Sequence, residues 1–566
     1  MVPTDLKAWR LHFMFLSLIL VASIGVRAGA WRLRHTGAIE QEGAEYARIA
    51  ENLRNGLGYV GIATPGTELT FPPLFPLLIA AASLVTHDYE LAGRLVSFLL
   101  GVLLPLPVFG VAVRLFQRRT AIIAAIITIL HPLFINLSIT VFSEGPYATL
   151  LLSGVYLALR AFDRPSVKRW SLVGWAFGAA YLLRQEALVP LLVAVLFALT
   201  AGDAGRVVKI KRGVAAMVVF AVLALPQVIL LYRSTGELRL EGKSAIVFAV
   251  GIRTLAEQAR SGDREQLDKA VNKAWFSIDD NLEGTGVAMR SNADVIRETR
   301  VRIRDLIRFG REAMRRNTPT LISQFSERWL GAPFLPALAF LGAFRRPWRR
   351  STALSHMFFM LIPATAVMAT CSKVPPIYAR YYFILVPFLV IWGANGLVEI
   401  ARWTNASLAA GFRRTKPWVP GAVVSGLIAV AMLSCALTGT RGLGVFAEGS
   451  ARTQATKDAG AWIQRQQTGR VRIMDSSAPL AFHANADLVH FPYCSAELAL
   501  RFADAAKVDY IVLRPGVKDR GQYYEDWLVH GIPNPRAELV YVSSGTNPPQ
   551  FMVFRWHRND GDLYKR

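Results

Sequence analysis

Cysteine is nearly missing from this chain of 566 residues: Cys371, Cys435 and Cys494 lie far apart. They form no metal-ligand spacing and no disulfide framework. Acidic residues are also scarce, 40 Asp and Glu against 64 Lys and Arg. No internal repeat and no low-complexity tract is visible, which excludes a solenoid or a disordered chain. The last hundred residues contain no nucleophile elbow, no glycine-rich phosphate loop and no metal cluster, so a second catalytic centre is not expected there.

What the chain has instead is apolar length. It is 53% hydrophobic with a mean hydropathy of +0.33, too apolar for a soluble globule of this size. Runs long enough to cross a bilayer lie near 12–30, 92–115, 120–141, 146–161, 213–232, 352–370, 380–400 and 418–438, with shorter ones near 171–184, 187–200 and 328–344. Lys7 and Arg10 precede the first run and no small-residue cleavage site follows it, so a retained first span is expected.

The net charge of +24 suggests nucleic acid until its distribution is read. Six short segments, around residues 7–10, 114–119, 160–169, 206–212, 345–350 and 402–416, hold 21 basic residues against Asp5, Asp163 and Asp203. Basic residues spread over alternate loops are a topology signal, whereas a nucleic-acid site concentrates them on one domain. The alternation also fixes parity. The apolar stretch Pro72–Val85 cannot cross without reversing every later basic loop, so it is expected to lie in or dip into the outer leaflet, started by its prolines.

The reading is an all-α polytopic membrane domain of about eleven spans, residues 1–440, with outside loops 31–91 and 233–327. The N-terminus is expected inside and the C-terminus outside. Residues 441–566 are expected to form a small outside α/β domain, with strands near 471–474, 488–490, 510–513, 539–542 and 552–554. In the long loop, Val295, Ile303, Leu306, Ile307 and Met314 fall near a helical stripe among arginines, the pattern of an interfacial amphipathic helix.

Ionisable groups at a membrane boundary are costly and are therefore candidates for function. In the outer turns these are Glu42 and Glu45 with Tyr46, Glu144, Arg184 with Glu186, and Lys373 and Arg380 around Tyr378. Glu144 and Glu186 read equally as helix caps or ion-pair partners. Glu51 and Arg54 read as a solvated face. Arg94, at the mouth of the second span, either snorkels or faces an anionic ligand. No spacing requires a divalent metal, although Glu42, Glu45 and Glu144 have the chemistry to hold one. Carboxylates facing cations suit transfer of a sugar from a lipid phosphate: the carboxylate takes a proton from the acceptor hydroxyl, and the cations meet the departing phosphate.

Six motifs in order carry a resemblance: Glu42-x-x-x-Tyr46, Asn52-Leu-x-x-Gly56-x-Gly58-Tyr59, Pro72-Pro73-Leu74-x-Pro76, Ser143-Glu144-x-x-Tyr147, Tyr181-Leu-Leu-Arg184-x-Glu186 and Arg380-Tyr381-Tyr382-x-x-x-x-Pro387. Together they resemble bacterial membrane glycosyltransferases of the GT-C fold, of the protein-O-mannosyltransferase and aminoarabinose-transferase-like group. The resemblance reaches to about residue 400. It implies a polyprenyl-phosphate-sugar donor, an inverting transfer to an envelope lipid, glycan or protein, and a site at the outer face of the bacterial inner membrane. It puts a catalytic carboxylate at Glu42 and donor-phosphate ligands at Arg184, Lys373 and Arg380. Where such proteins often carry a second acid, this chain has Gly43. The rival readings are a lipid-linked-sugar transporter or flippase, and a non-catalytic scaffold for envelope assembly.

Overall fold

The computed structural model describes residues 6–33, 38–63, 65–200, 204–261, 264–299, 303–325, 327, 334–345, 348, 352–371, 383–411, 419–442, 450–515, 522–543 and 551–558. Lys373, Tyr378 and Arg380 lie outside the described residues, as does the basic stretch 412–418.

The first half of the chain is a succession of helices: α1 (Leu6–Leu33), α2 (Gln41–Arg54), α3 (Leu74–Thr86), α4 (Tyr89–Leu103), α5 (Pro105–Leu115), α6 (Arg118–Leu130), α7 (Pro132–Ile139), α8 (Glu144–Asp163), α9 (Val167–Tyr181), α10 (Leu188–Thr200) and α11 (Arg206–Thr235). Five helical stretches among the described residues are long and apolar enough to cross a membrane: Met14–Leu33, Tyr89–Leu115, Arg206–Thr235, Phe383–Ser407 and Pro420–Thr438. A sixth is reached if α6 and α7 are one broken span. The expected count of eleven is not reached on that criterion. The expected spans near 171–184, 187–200 and 328–344 form helices of 15, 13 and 11 residues. At about 1.5 Å per residue these run to roughly 16–22 Å, short of a hydrocarbon core of about 30 Å.

The apolar run expected as one span near 120–141 is bent by 53° between α6 and α7. The cause is local. Pro132 cannot continue the hydrogen-bond ladder of α6, and it starts α7 at a position where its missing N–H costs nothing. The His131 ring nitrogen accepts from the Leu133 amide at 3.3 Å and caps the new helix.

Helix α3 is 13 residues long, started by Pro72 and Pro73. One face, with Phe75 and Ile79 fully buried, packs on α2 and α4; Leu77, Leu84 and Val85 point outward. A short helix with an apolar outer face suits the expected position in the outer leaflet. The Leu74 amide donates to the Leu182 carbonyl at 2.9 Å, tying the start of α3 to the turn that bears Arg184.

The C-terminal region is a five-stranded mixed sheet: β1 (Arg472–Asp475), β2 (Asp487–His490), β3 (Tyr510–Leu513), β4 (Ala537–Val542) and β5 (Met552–Trp556), in the order β2-β1-β3-β5-β4. β2, β1 and β3 are parallel; β5 and β4 add antiparallel. β3 is buried on both faces, as the centre of a covered sheet must be. Around it run the helices Ser450–Gln466, Ala478–His483, Ala496–Ala505 and Gln522–His530.

Arg48 joins this sheet region to the membrane part. It is fully buried on α2, donates to Glu51 at 2.9 Å and Asn485 Oδ1 at 3.1 Å, and reaches the Ala486 carbonyl at 3.0 Å. Glu51 and Arg54, expected as a solvated face, also make structural bonds: Glu51 accepts from Arg48, and Arg54 donates to the Ser83 carbonyl at 3.2 Å. Arg48→Ala leaves the buried Ala486 carbonyl without its donor, a cost of about 1–3 kcal/mol. Faster amide exchange or proteolysis at residues 484–490, with little change in α5–α10, is the expected result.

Candidate functional site

The site is built from the loop that follows α1 and two turns. Helix α2 presents two different faces. Glu42 and Tyr46, one helical turn apart, share one; Glu45 and Asn52, seven residues apart, share another. The first face meets the turn 140–144 before α8. The Tyr46 hydroxyl lies 3.1 Å from Ser143 Oγ, and its ring is held edge-on by Phe71 and Phe75, each with centroids at 4.9 Å.

Gly43 explains how α2 comes so near. A Cβ there would stand 2.9 Å from the Val141 carbonyl oxygen and 3.0 Å from Val141 Cβ. No side chain fits without moving backbone. Where the resemblance led to the expectation of a second acid, the chain has a close helix-to-turn contact instead.

Arg184 lies across the same turn. Its Nη1 donates to Glu144 at 2.8 Å and its Nη2 to Glu186 at 3.2 Å. The guanidinium rests over the rings of Tyr147 and Phe383, 6.0 and 5.5 Å from their centroids. Glu42 and Tyr46 are also within its electrostatic reach. Burial, and after it the negative fields of Glu42 and Glu144, push the Tyr46 phenol well above its ordinary pKa, so it stays protonated as a hydrogen-bonding group. Among the described residues, Glu144 Oε2 and the Tyr147 hydroxyl are buried with no hydrogen-bond partner. Buried polar atoms of this kind mark a place where a ligand's hydroxyls have donors and acceptors to meet.

Of the residues expected from sequence, the structure thus gathers Glu42, Tyr46, Glu144, Arg184 and Glu186. It turns Glu45 elsewhere. Glu45 Oε2 accepts from the Ile62 amide at 2.8 Å, close to Glu68, which accepts from Thr70 N at 2.7 Å and Asn292 Nδ2 at 3.0 Å. Burial, then the Glu68 charge, raise the Glu45 carboxyl to about 8. Arg94 belongs to a third group. It donates to Glu90 at 2.6 Å and to the Ile139 carbonyl at 3.2 Å, and Lys457 reaches Glu90 at 3.5 Å. Among the described residues no three His, Cys, Asp or Glu side chains gather closely enough to hold a metal ion. Ser143, Glu68 and Asn292 acquire their roles only here: residues 45, 68 and 292 carry no shared motif, and nothing in their spacing brings them together.

A family model described as dolichyl-phosphate-mannose-protein mannosyltransferase matches residues 70–230, the stretch from α3 to α11. The whole backbone is similar to ArnT from Cupriavidus metallidurans bound to undecaprenyl phosphate, with a TM-score of 0.54 and 14% identity over 97% of this chain and 98% of that one. The protein has the GT-C fold. Similar in fold as well are the archaeal oligosaccharyltransferase AglB from Archaeoglobus fulgidus, in complex with an inhibitory peptide and a dolichol-phosphate (TM-score 0.55, 14% identity, 98% of this chain and 75% of that one), and the arabinofuranosyltransferase AftD from Mycobacteria (0.52, 14%, 97% and 42%). The comparison with curated proteins finds no match by sequence. Within the GT-C fold, the gathered carboxylates and Arg184 lie on the first loop and on the turns that flank α8 and α10.

Two outcomes follow from this geometry. Gly43→Asp forces α2 off Val141 at about 1–3 kcal/mol, and is expected to lower the unfolding temperature rather than to add a useful carboxylate. Between pH 4.5 and about 8 the folded chain holds a proton on Glu45 that the unfolded chain releases, so this group's contribution to stability falls as pH rises through that window. Glu45→Gln is expected to unfold at a higher temperature than the parent at pH 9 and at a similar one at pH 5.

Proposed function

We propose that this protein is an inverting glycosyltransferase that moves a sugar from a polyprenyl-phosphate donor to an envelope lipid, glycan or protein acceptor at the outer face of the bacterial inner membrane. The observation that carries the reading is the convergence of Glu42, Tyr46, Glu144, Arg184 and Glu186 in one cluster, with Tyr46, Glu144 and Arg184 buried and both other glutamates half-buried, on a GT-C fold. The bound lipid phosphates of the ArnT and AglB structures support the donor class.

In this reading Glu42 is the base. It takes the proton from an acceptor hydroxyl, whose oxygen attacks the anomeric carbon from the face opposite the phosphate. The C–O bond to the phosphate breaks and the sugar inverts. Tyr46 positions the acceptor through its hydroxyl, and Glu144 offers its second carboxylate oxygen to a ligand hydroxyl. Arg184 supplies positive field, but it is already matched by two carboxylates, so the donor phosphate falls chiefly to Lys373 and Arg380. Glu45 is not the base, because its oxygen is committed to the Ile62 amide on another face of α2.

The break between α6 and α7 is a feature that transporters use. The site carboxylates, however, lie on the first loop and the outer turns rather than at that break, which favours transfer chemistry over passage. Glu42→Gln is expected to reduce transfer by about 10²–10⁴-fold, measured as glycan or lipid modification in cells deleted for the gene, while leaving the purified protein's bound polyprenyl-phosphate sugar visible by mass spectrometry. Normal modification in Glu42→Gln cells would remove Glu42 as the base.

A further inference from the structure

A cavity of about 450 Å³ opens on the other face of α2, where the first loop, the long loop and the C-terminal sheet meet. Asn52 and residues Val60–Ala63 form one wall, Ala288 and Met289 a second, and Arg470, Arg472, Asp487 and Phe502 the third. Its volume lies within the range of small-ligand sites, which is about 300–1,000 Å³.

The lining decides what kind of ligand fits. A peptide adding as a strand would need the edge of β2. That edge is taken at both ends: the Leu488 amide donates to the Ile62 carbonyl at 2.9 Å, and just beyond β2 the Tyr493 amide donates to the Phe276 carbonyl at 2.8 Å. An acyl chain would have to lie against two guanidinium groups and a carboxylate. A saccharide matches all three features. Its hydroxyls accept from arginine, donate to Asp487 and place a C–H face on Phe502 or Met289. The arginine donors are available for this. Arg470 reaches Asn52, Glu51 and Asp487 only at 3.4–3.6 Å, the outer limit of a hydrogen bond. Arg472 is exposed and spends Nη1 on the Ala506 carbonyl at 2.9 Å.

Distance then sets the size of the ligand. Asn52 lies ten residues along α2 from Glu42, a rise of about 15 Å. A single sugar at the cavity cannot reach Glu42, but a chain of several units can. We propose that this cavity binds the saccharide chain of the acceptor, anchoring an oligosaccharide whose end extends along α2 toward Glu42. Saccharide binding stands on the cavity alone; its role as acceptor site rests on the glycosyl-transfer reading above.

The test uses the full chain in nanodiscs and oligosaccharides released from the envelope of the cell that makes it, with retained chains identified by mass spectrometry. The parent and Glu42→Gln are both expected to retain chains of several sugar units. Ala288→Trp, which fills the cavity without deleting a hydrogen bond, and Arg472→Ala are each expected to reduce retention at least tenfold. Phe502→Ala gives an independent variant should the tryptophan disturb folding. Retention of no saccharide by the parent, equal retention by all cavity variants, or retention of envelope peptides instead of saccharides would overturn the proposal. If the cavity variants lose retention while Glu42→Gln cells keep normal modification, saccharide binding stands and the transfer reading fails.

Discussion

The contact between Gly43 and Val141 governs the arrangement of the site. A helix can lie this close to a turn only where it has no Cβ, and α2 uses its one glycine at that point. Everything on the neighbouring face follows from the distance so gained. Tyr46 reaches Ser143, Glu42 comes within the field of Arg184, and Arg184 bridges the carboxylates on either side. Put any side chain at residue 43 and α2 moves outward, carrying Glu42 and Tyr46 away from the turn.

The same helix separates two compartments with different electrostatics. On the Glu42 face, one buried guanidinium is shared among three carboxylates and a phenol. On the Glu45 face, burial and a neighbouring acid push the carboxyl toward its neutral form. Two glutamates three residues apart thus face different surroundings: Glu42 the field of Arg184, Glu45 a neighbouring acid and the Ile62 amide. Arg48, on the same stripe as Glu45 and Asn52, fastens the C-terminal sheet to the helix, so the sheet, the cavity and the cluster all take their positions from fourteen residues.

Membrane physics explains the rest of the architecture. Several helices are too short to cross alone and are packed against longer neighbours, α9 on α11 and Phe334–Phe344 on Val386–Gly411. Small residues make this closeness possible: a Cβ on Gly174 or Gly342 would meet the backbone of the facing helix. The break at Pro132 places the start of α8, and with it Glu144, under the first loop.

Much of this could be read from residue pattern. Apolar runs and the alternation of basic loops are one-dimensional properties, so the polytopic class and the short proline-led helix after the first span are legible in the chain itself. Local periodicity likewise marked all five strands of the tail. The motif residues Glu42, Tyr46, Glu144, Arg184 and Glu186 were legible because each is an ionisable or aromatic group at an expensive place. Which of them meet, and which do not, was decided by tertiary packing. Glu45 and Arg94 looked equivalent to their neighbours in sequence, yet helical phase turns the first toward Glu68, and Glu90 captures the second. In sequence the glycine at 43 stands where an acid is expected; in the fold it is the point of contact with Val141. Contacts between residues far apart in the chain, such as 43 with 141 or 48 with 486, depend on how close two backbones come. That distance is set by the volume of everything packed around them, not by any local run of residues.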